Sequence, residues 1–328
     1  MLTDTTCELD IVRAVRKYGG QASDAILDAD CKQFTTPGID GFIGYKTPGD
    51  CAVIFGDPVT AKTDFESILK AFFATISPQF HNTIFITASK NLKELLFGKF
   101  VHAAVQFGNE LHLDPFDDPL KLTGEKASLV RRKVRHATKE GVTIQEYKGN
   151  DPALENEFEK LAVRWRNSRK GVQIHTSQIK IFENRLGKRW FYASKEGKVL
   201  GILLLNQTES SNGYLLNRYL VLPQAPGGVP ESLVIAALNA LREEGCHHLS
   251  FGSAINLSTR SIDGFSPVQS WIAEKTLQLS DSLFKLSQRQ SFWEKFHPES
   301  VPSYILFQCP KVGLKEIFSL CKALNVSL

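Results

Sequence analysis

The chain has no closely spaced cysteine pair, no metal-type histidine spacing and no long apolar run, and each absence removes a class of function. Its six cysteines, Cys7, Cys31, Cys51, Cys246, Cys309 and Cys321, are scattered without a CxxC pair. Neither a zinc ribbon nor a disulfide framework is indicated, and the cysteines read as reduced, packed thiols. The eight histidines form no HExxH or HxxxH pattern, so no metal site is expected. No apolar run reaches the ~18 to 20 residues needed to span a bilayer. The opening MLTDTTCELDIVRAVRK also lacks the apolar core of a signal peptide. The expectation is a cytoplasmic protein.

With 328 residues, 42% hydrophobic and 23% charged, the chain has enough apolar surface for a sizeable core and two domains. The net charge of +4 conceals an asymmetry: residues 121–189 hold 17 Lys/Arg against 8 Asp/Glu, a net of +9, and the remainder carries −5. The positive charge is densest at Arg131, Arg132, Lys133 and Arg135 with Lys139, and again over residues 164–170. Helical spacing puts Arg132, His136 and Lys139 on one side, with Arg131 and Arg135 beside them. Such a stripe suits a polyanion, because each phosphate neutralised releases a counterion. A solvated face of a linking helix has the same pattern.

Residues 212–253 organise the rest. A β-rich run at 214–222 ends in Pro223, Ala225, Pro226, Gly227 and Gly228. A helix then begins near Pro230 and Glu231, with Leu233, Val234, Ala237, Leu238 and Leu241 on one face, and ends at Gly245. Residues 248–251 return as a strand. The turn would set free N–H groups at a helix N-terminus, where an anion or a polarised carbonyl oxygen is favoured. It serves equally as a tight strand-to-helix connection. A similar strand, Gly-Pro turn, helix and strand occupy residues 51–87, which suggests a duplicated unit. Elsewhere the periodicity predicts short helices at 9–16 and 21–29, a hairpin at 101–106 and 110–113, and a basic helix at 124–140. Further along it predicts a helix at 153–169, a hairpin at 190–194 and 199–206, a helix at 281–295, a strand at 303–308 and a closing helix at 313–324. The loop DPFDDP at 114–119 divides the chain into 1–118 and 119–328.

Five segments in order, LTGEK, VRRKVRHATKEGV, NRYLVLPQAPGGVPESL, LSFGSA and FWEKFHPESVPSYILF, carry a family resemblance. Together they resemble the C-terminal catalytic domain of phosphatidylglycerol lysyltransferases and its stand-alone fungal relatives that aminoacylate ergosterol. The resemblance runs from about residue 40 to the end. It implies an α/β (α+β) fold of tandem GNAT-like domains, each a mixed sheet flanked by helices, with the second catalytic. It implies transfer of an amino acid from aminoacyl-tRNA to the hydroxyl of a phosphatidylglycerol-like or sterol acceptor, without metal or cofactor, on a protein that works peripherally at a membrane. The basic residues Arg131, Arg132, Lys133, Arg135 and Lys139 would then bind tRNA.

The family's strand arginine is matched by Arg218 and its FKxKF segment by Phe292, Lys295 and Phe296. Two positions depart: Trp293 replaces the first lysine, and Leu215 stands where an acid is expected three residues before the arginine. The loss of that acid leaves the transferred amino acid open. Arg218 would bind the terminal adenosine phosphate or the ester carbonyl, and Lys295 would bring a second positive charge to the same ester. Each also suits a structural role, as an ion pair or a surface lysine. His175 is the candidate proton acceptor, and is otherwise a polar loop residue. Asn217, Gly227, Gly228, Gly252 and Trp293 complete the substrate-binding set. Two other functions fit the residues: a GNAT N-acyltransferase using acyl-CoA, with 224–229 as its pyrophosphate loop, and a non-catalytic protein that binds tRNA or an anionic membrane.

Overall fold

The computed structural model describes residues 3–22, 24–169, 179–255, 261–284 and 291–326. Among them, thirteen strands build one mixed sheet. They are β1 (Lys32–Phe34), β2 (Gly41–Lys46), β3 (Cys51–Phe55), β4 (Val59–Thr60), β5 (Asn82–Ala88), β6 (Ala103–Leu113), β7 (Thr143–Tyr147), β8 (Lys188–Lys195), β9 (Lys198–Thr208), β10 (Gly213–Val221), β11 (His248–Ile255), β12 (Ile262–Asp263) and β13 (Glu299–Phe307). The order across the sheet is β1-β2-β3-β5-β13-β6-β11-β10-β9-β8-β7, with β12 on β6 and β4 on β2.

A parallel strand–helix–strand unit occurs twice in the sheet. β3 runs parallel to β5 after the helix α2 (Phe65–Thr75), and β10 runs parallel to β11 after the long helix between them, Val229–Glu243. The run CAVIF of β3 is buried throughout, as a strand covered on both faces requires. The architecture is the expected mixed α/β one, a large sheet flanked by helices. The last strand departs from the division by sequence. β13 lies between β5 and β6, and the closing helix, Leu314–Ala323, packs through Ile317 and Leu320 on the core of the N-terminal half.

Several local expectations need correction. The hairpin expected at 101–113 is one strand, β6, which passes through Gly108 and Asn109 with an irregularity opposite Ser303/Tyr304 instead of turning. The helix expected at 21–29 shrinks to a single 3₁₀ turn, Ala25–Leu27. Of the helix expected at 281–295, residues 281–284 are the end of a helix that begins at Pro267, where the Ser266 hydroxyl accepts from the Gln269 N–H. Residues 291–294 are helical, and 285–290 lie outside the described residues.

Helices divide between the two faces. The helices α1 (Thr3–Tyr18), α5 (Pro152–Ser168), α7 (Pro267–Phe284) and α8 (Leu314–Ala323) cover one face. The other carries α2, α3 (Lys90–Leu96), α4 (Glu125–Lys139) and α6 (Val229–Glu243). The cores follow this split. Leu204 and Leu220 pack with Phe158 and Leu161 on the α1 face, while Leu203 and Leu216 pack with Leu233 and Leu238 on the α6 face. No helix among the described residues is long and apolar enough to cross a membrane.

Candidate active site

The glycine turn is filled from within the protein. Gly228 has φ +101°, and a Cβ placed there would stand 1.9 Å from the Lys133 carbonyl oxygen of α4. Glycine is needed here for the approach of α4. His136 Nδ1 donates to the Gly227 carbonyl at 2.9 Å, and Lys133 Nζ lies beside Gly227. Glu231, in the first turn of α6, is buried and bonded to Lys295 Nζ. The helix end that the sequence offers to an anion is thus met by the protein's own carboxylate.

A β-bulge decides where Arg218 points. In the β10/β9 pairing Leu216 faces Leu205, and Arg218 faces Leu204, so Asn217 is the extra residue. Leu204 belongs to the α1 face, which places Arg218 there. Asn217 Nδ2 donates to Asp24, as does Asn206 Nδ2 at 2.6 Å, and Arg16 lies 3.6 Å from the same carboxylate. Lys188 is the β8 partner of Asn206 and joins the same row. Burial pushes the Arg218 guanidinium below its ordinary pKa, with Asp24 and Asp28 opposing the shift. Burial also lowers Arg16 and Lys188. Three cations therefore surround carboxylates supplied by the N-terminal segment.

The polar row continues across the seam of the two halves. β11 carries a second bulge between Ser250 and Gly252, where Gly252 takes φ +74° and its N–H donates to Ser250 Oγ at 3.0 Å. Ser250 Oγ donates to Glu110 at 2.7 Å, and burial pushes the Glu110 carboxyl above its usual range, partly offset by that bond. Ser253, opposite Glu110 on β6, bonds Gln21 and, at 3.0 Å, Ser303. Asp24, Glu110 and the Gln21–Ser253–Ser303 set have no motif in the sequence. The run Asp24, Asp28 and Asp30 in one short stretch is the signal that could have drawn attention to the first.

Other expected residues go elsewhere. Lys295 lies on the α6 face, in contact with Glu231 and 3.9 Å from the centre of the Phe292 ring. Tyr219, its neighbour across that face, pairs with Leu203 rather than Leu204. Arg218 and Lys295 are thus on opposite faces of the sheet, and the expected meeting of their charges at one ester does not occur. Trp293 stacks on Phe251 with ring centres 4.3 Å apart, again on the α6 face. His175 lies outside the described residues. On α4, Arg131 is spent on the Leu120 and Leu122 carbonyls at 3.1 and 2.6 Å, while Arg132, Arg135 and Lys139 are exposed. Of the second basic stretch, Arg164 and Arg166 are on α5, across the sheet from α4, and Lys170 lies outside the described residues.

Residues 14–307 match the family described as "Phosphatidylglycerol lysyltransferase, C-terminal". The chain belongs to this family. A phosphatidylglycerol lysyltransferase of Staphylococcus epidermidis is 23% identical over 305 residues, 90% of this chain and 35% of that protein. One of Staphylococcus aureus is 19% identical over 306 residues, 91% of this chain and 35% of that protein. The chain thus spans about 35% of the length of these curated relatives. Among solved structures, the C-terminal domain of a putative lysylphosphatidylglycerol synthetase from Agrobacterium fabrum shares the fold, with TM-score 0.77 at 18% identity over 97% of this chain and 96% of that one. L-PGS from Bacillus licheniformis gives TM-score 0.77 at 17% identity, covering 96% and 94%. The two departures within this phosphatidylglycerol lysyltransferase C-terminal domain have structural counterparts: Leu215 is core, 5% exposed, and Trp293 completes an aromatic stack.

Proposed function

We propose that the protein transfers an amino acid from aminoacyl-tRNA to a lipid hydroxyl, of a phosphatidylglycerol-like or sterol acceptor, along the polar row centred on Arg218. The observation that carries this is the β10 bulge, which turns Asn217 and Arg218 together toward Asp24 on the α1 face. The donor ester is already activated, so exchange of one ester for another needs alignment, proton removal and oxyanion stabilisation. The acceptor oxygen attacks the ester carbonyl, Arg218 stabilises the charge on its oxygen, and the bond to the ribose oxygen breaks. Glu110, a stronger base because burial raises its carboxyl above the usual range, takes the acceptor's proton as the carboxylate and returns it to the ribose oxygen. Exposed Arg132, Arg135 and Lys139 hold tRNA phosphates. An acyl-CoA donor would need its pyrophosphate against Gly227 and Gly228, where α4 and Glu231 already stand.

The test is incubation with a mixed pool of labelled aminoacyl-tRNAs and a total lipid extract. Label moving into the organic phase, dependent on intact aminoacyl-tRNA, supports the proposal. Absence of transfer from every aminoacyl-tRNA, or micromolar acetyl-CoA binding by calorimetry, overturns it.

A further inference from the structure

Ten large hydrophobic side chains stand exposed among the described residues, and five of them, Val268, Trp271, Leu279, Leu314 and Phe318, belong to α7 and α8. Their spacing puts them on the outer ridges. Ala273 and Leu277 of α7, and Ala323 of α8, point into the core, so the exposed residues lie on the opposite sides of both helices. The two N-terminal ends adjoin. The Val312 N–H donates to Gln269 Oε1 at 2.7 Å, and a cleft of about 560 Å³ lined by Ser266, Gln269 and Leu314 lies between them.

Lysines interleave with the apolar residues. Lys275 follows Trp271 on its ridge, Lys322 follows Phe318, and Lys311 and Lys315 flank Leu314 at the helix start, all exposed. Among the described side chains, the opposing exposed acids there are Glu274 and Asp50, the latter 2.9 Å from Lys315. Aromatic and aliphatic side chains set among lysines are the chemistry of an interfacial helix on anionic lipid. A two-fold copy of the chain would instead set these lysines against one another.

We propose that the outer face of α7 and α8 docks the protein on an anionic phospholipid bilayer. Trp271, Leu314 and Phe318 enter the headgroup boundary, and the lysines meet lipid phosphates. This face is on the same side of the sheet as Arg218, so docking would bring a lipid hydroxyl toward the polar row. That purpose rests on the lipid-acceptor proposal, but binding itself does not and is measured without donor.

The experiment is flotation of the full chain with vesicles of equal phosphatidylglycerol and phosphatidylcholine, and with phosphatidylcholine alone. The expected result is binding to the anionic vesicles that weakens with salt and falls at least about tenfold in a Trp271→Ser/Phe318→Ser variant. Val163→Ser, which removes an exposed hydrophobe from α5, should bind as wild type. Both variants should keep the wild-type melting temperature, since the altered side chains are solvent-facing. Wild type that stays unbound, a double variant that binds undiminished, or a dimer that the double variant converts to monomer overturns the proposal. Vesicle binding without lipid aminoacylation would sink the acceptor assignment and leave the docking face standing.

Discussion

Gly228→Ala separates a packing role for the glycine turn from a ligand-contacting one. At φ +101° an alanine carries backbone strain, and its Cβ would stand 1.9 Å from the Lys133 carbonyl, a backbone atom that moves only if α4 moves. Strain of a non-glycine residue in this region and the overpacking add to about 2–5 kcal/mol. In a chain of this size each kcal/mol lowers the melting temperature by roughly 2 °C, so a drop of about 4–10 °C is expected. Gly227→Ala is the control. Its Cβ would meet Lys133 Nζ at 3.6 Å and His136 Nδ1 at 4.0 Å, ordinary contacts, so stability should stay within roughly 0.5 kcal/mol of wild type. The assay is thermal melting of both variants by circular dichroism. A Gly228→Ala protein that melts with the wild type yet loses donor binding would show that the turn faces a ligand and that α4 does not fill it.

Three further outcomes are expected. Lys295→Met should destabilise by about 3–5 kcal/mol, because it strands the buried Glu231 carboxylate, and adding Glu231→Gln should restore most of the loss; a stable single variant without activity would instead make Lys295 catalytic. The Glu110 carboxyl is held above its ordinary range by burial, so its stabilising contribution is full below the unfolded value of ~4.3 and fades as pH rises through the folded one. Glu110→Gln should therefore match wild type near pH 4 and melt higher than wild type at neutral pH, and the opposite sign in a pH series of melts would refute the burial argument. Replacing Arg132, Arg135 and Lys139 with Gln should flatten the salt dependence of tRNA binding by about 2 units of slope, whereas Arg131→Gln should leave the slope unchanged and loosen the loop at 120–122.

The β10–turn–α6–β11 unit was legible because its signals are local: a β-branched run, a Pro and Gly cluster, and an apolar stripe at helical period. Gly108 and Asn109 misled for the same reason. They are turn residues by type, but the pairing of β6 with both β11 and β13 keeps the strand extended through them. The helix α7 escaped because its solvent side carries Val268, Trp271 and Leu279, which blur the amphipathic pattern. Arg218 was visible as a residue, but not the face it takes. That depends on one bulged residue, Asn217, and a one-residue slip exchanges the faces of a strand. Asp24 is nearly two hundred positions from Asn217 in sequence, and only the fold brings them together.

The most direct measurement is single-turnover transfer of label from aminoacyl-tRNA to lipid by Arg218→Lys and Arg218→Ala proteins, beside their melting temperatures. A single ammonium cannot reproduce the guanidinium fork at the end of the Asp24–Asn217 array. Both variants should therefore transfer about 10² to 10³ times more slowly than wild type. Their melting temperatures should remain close to that of wild type, since Asp24 keeps Arg16, Asn206 and Asn217 as partners when Arg218 is replaced. Near-normal transfer by both variants, or a loss of transfer that only follows unfolding, would contradict a reaction centred on Arg218.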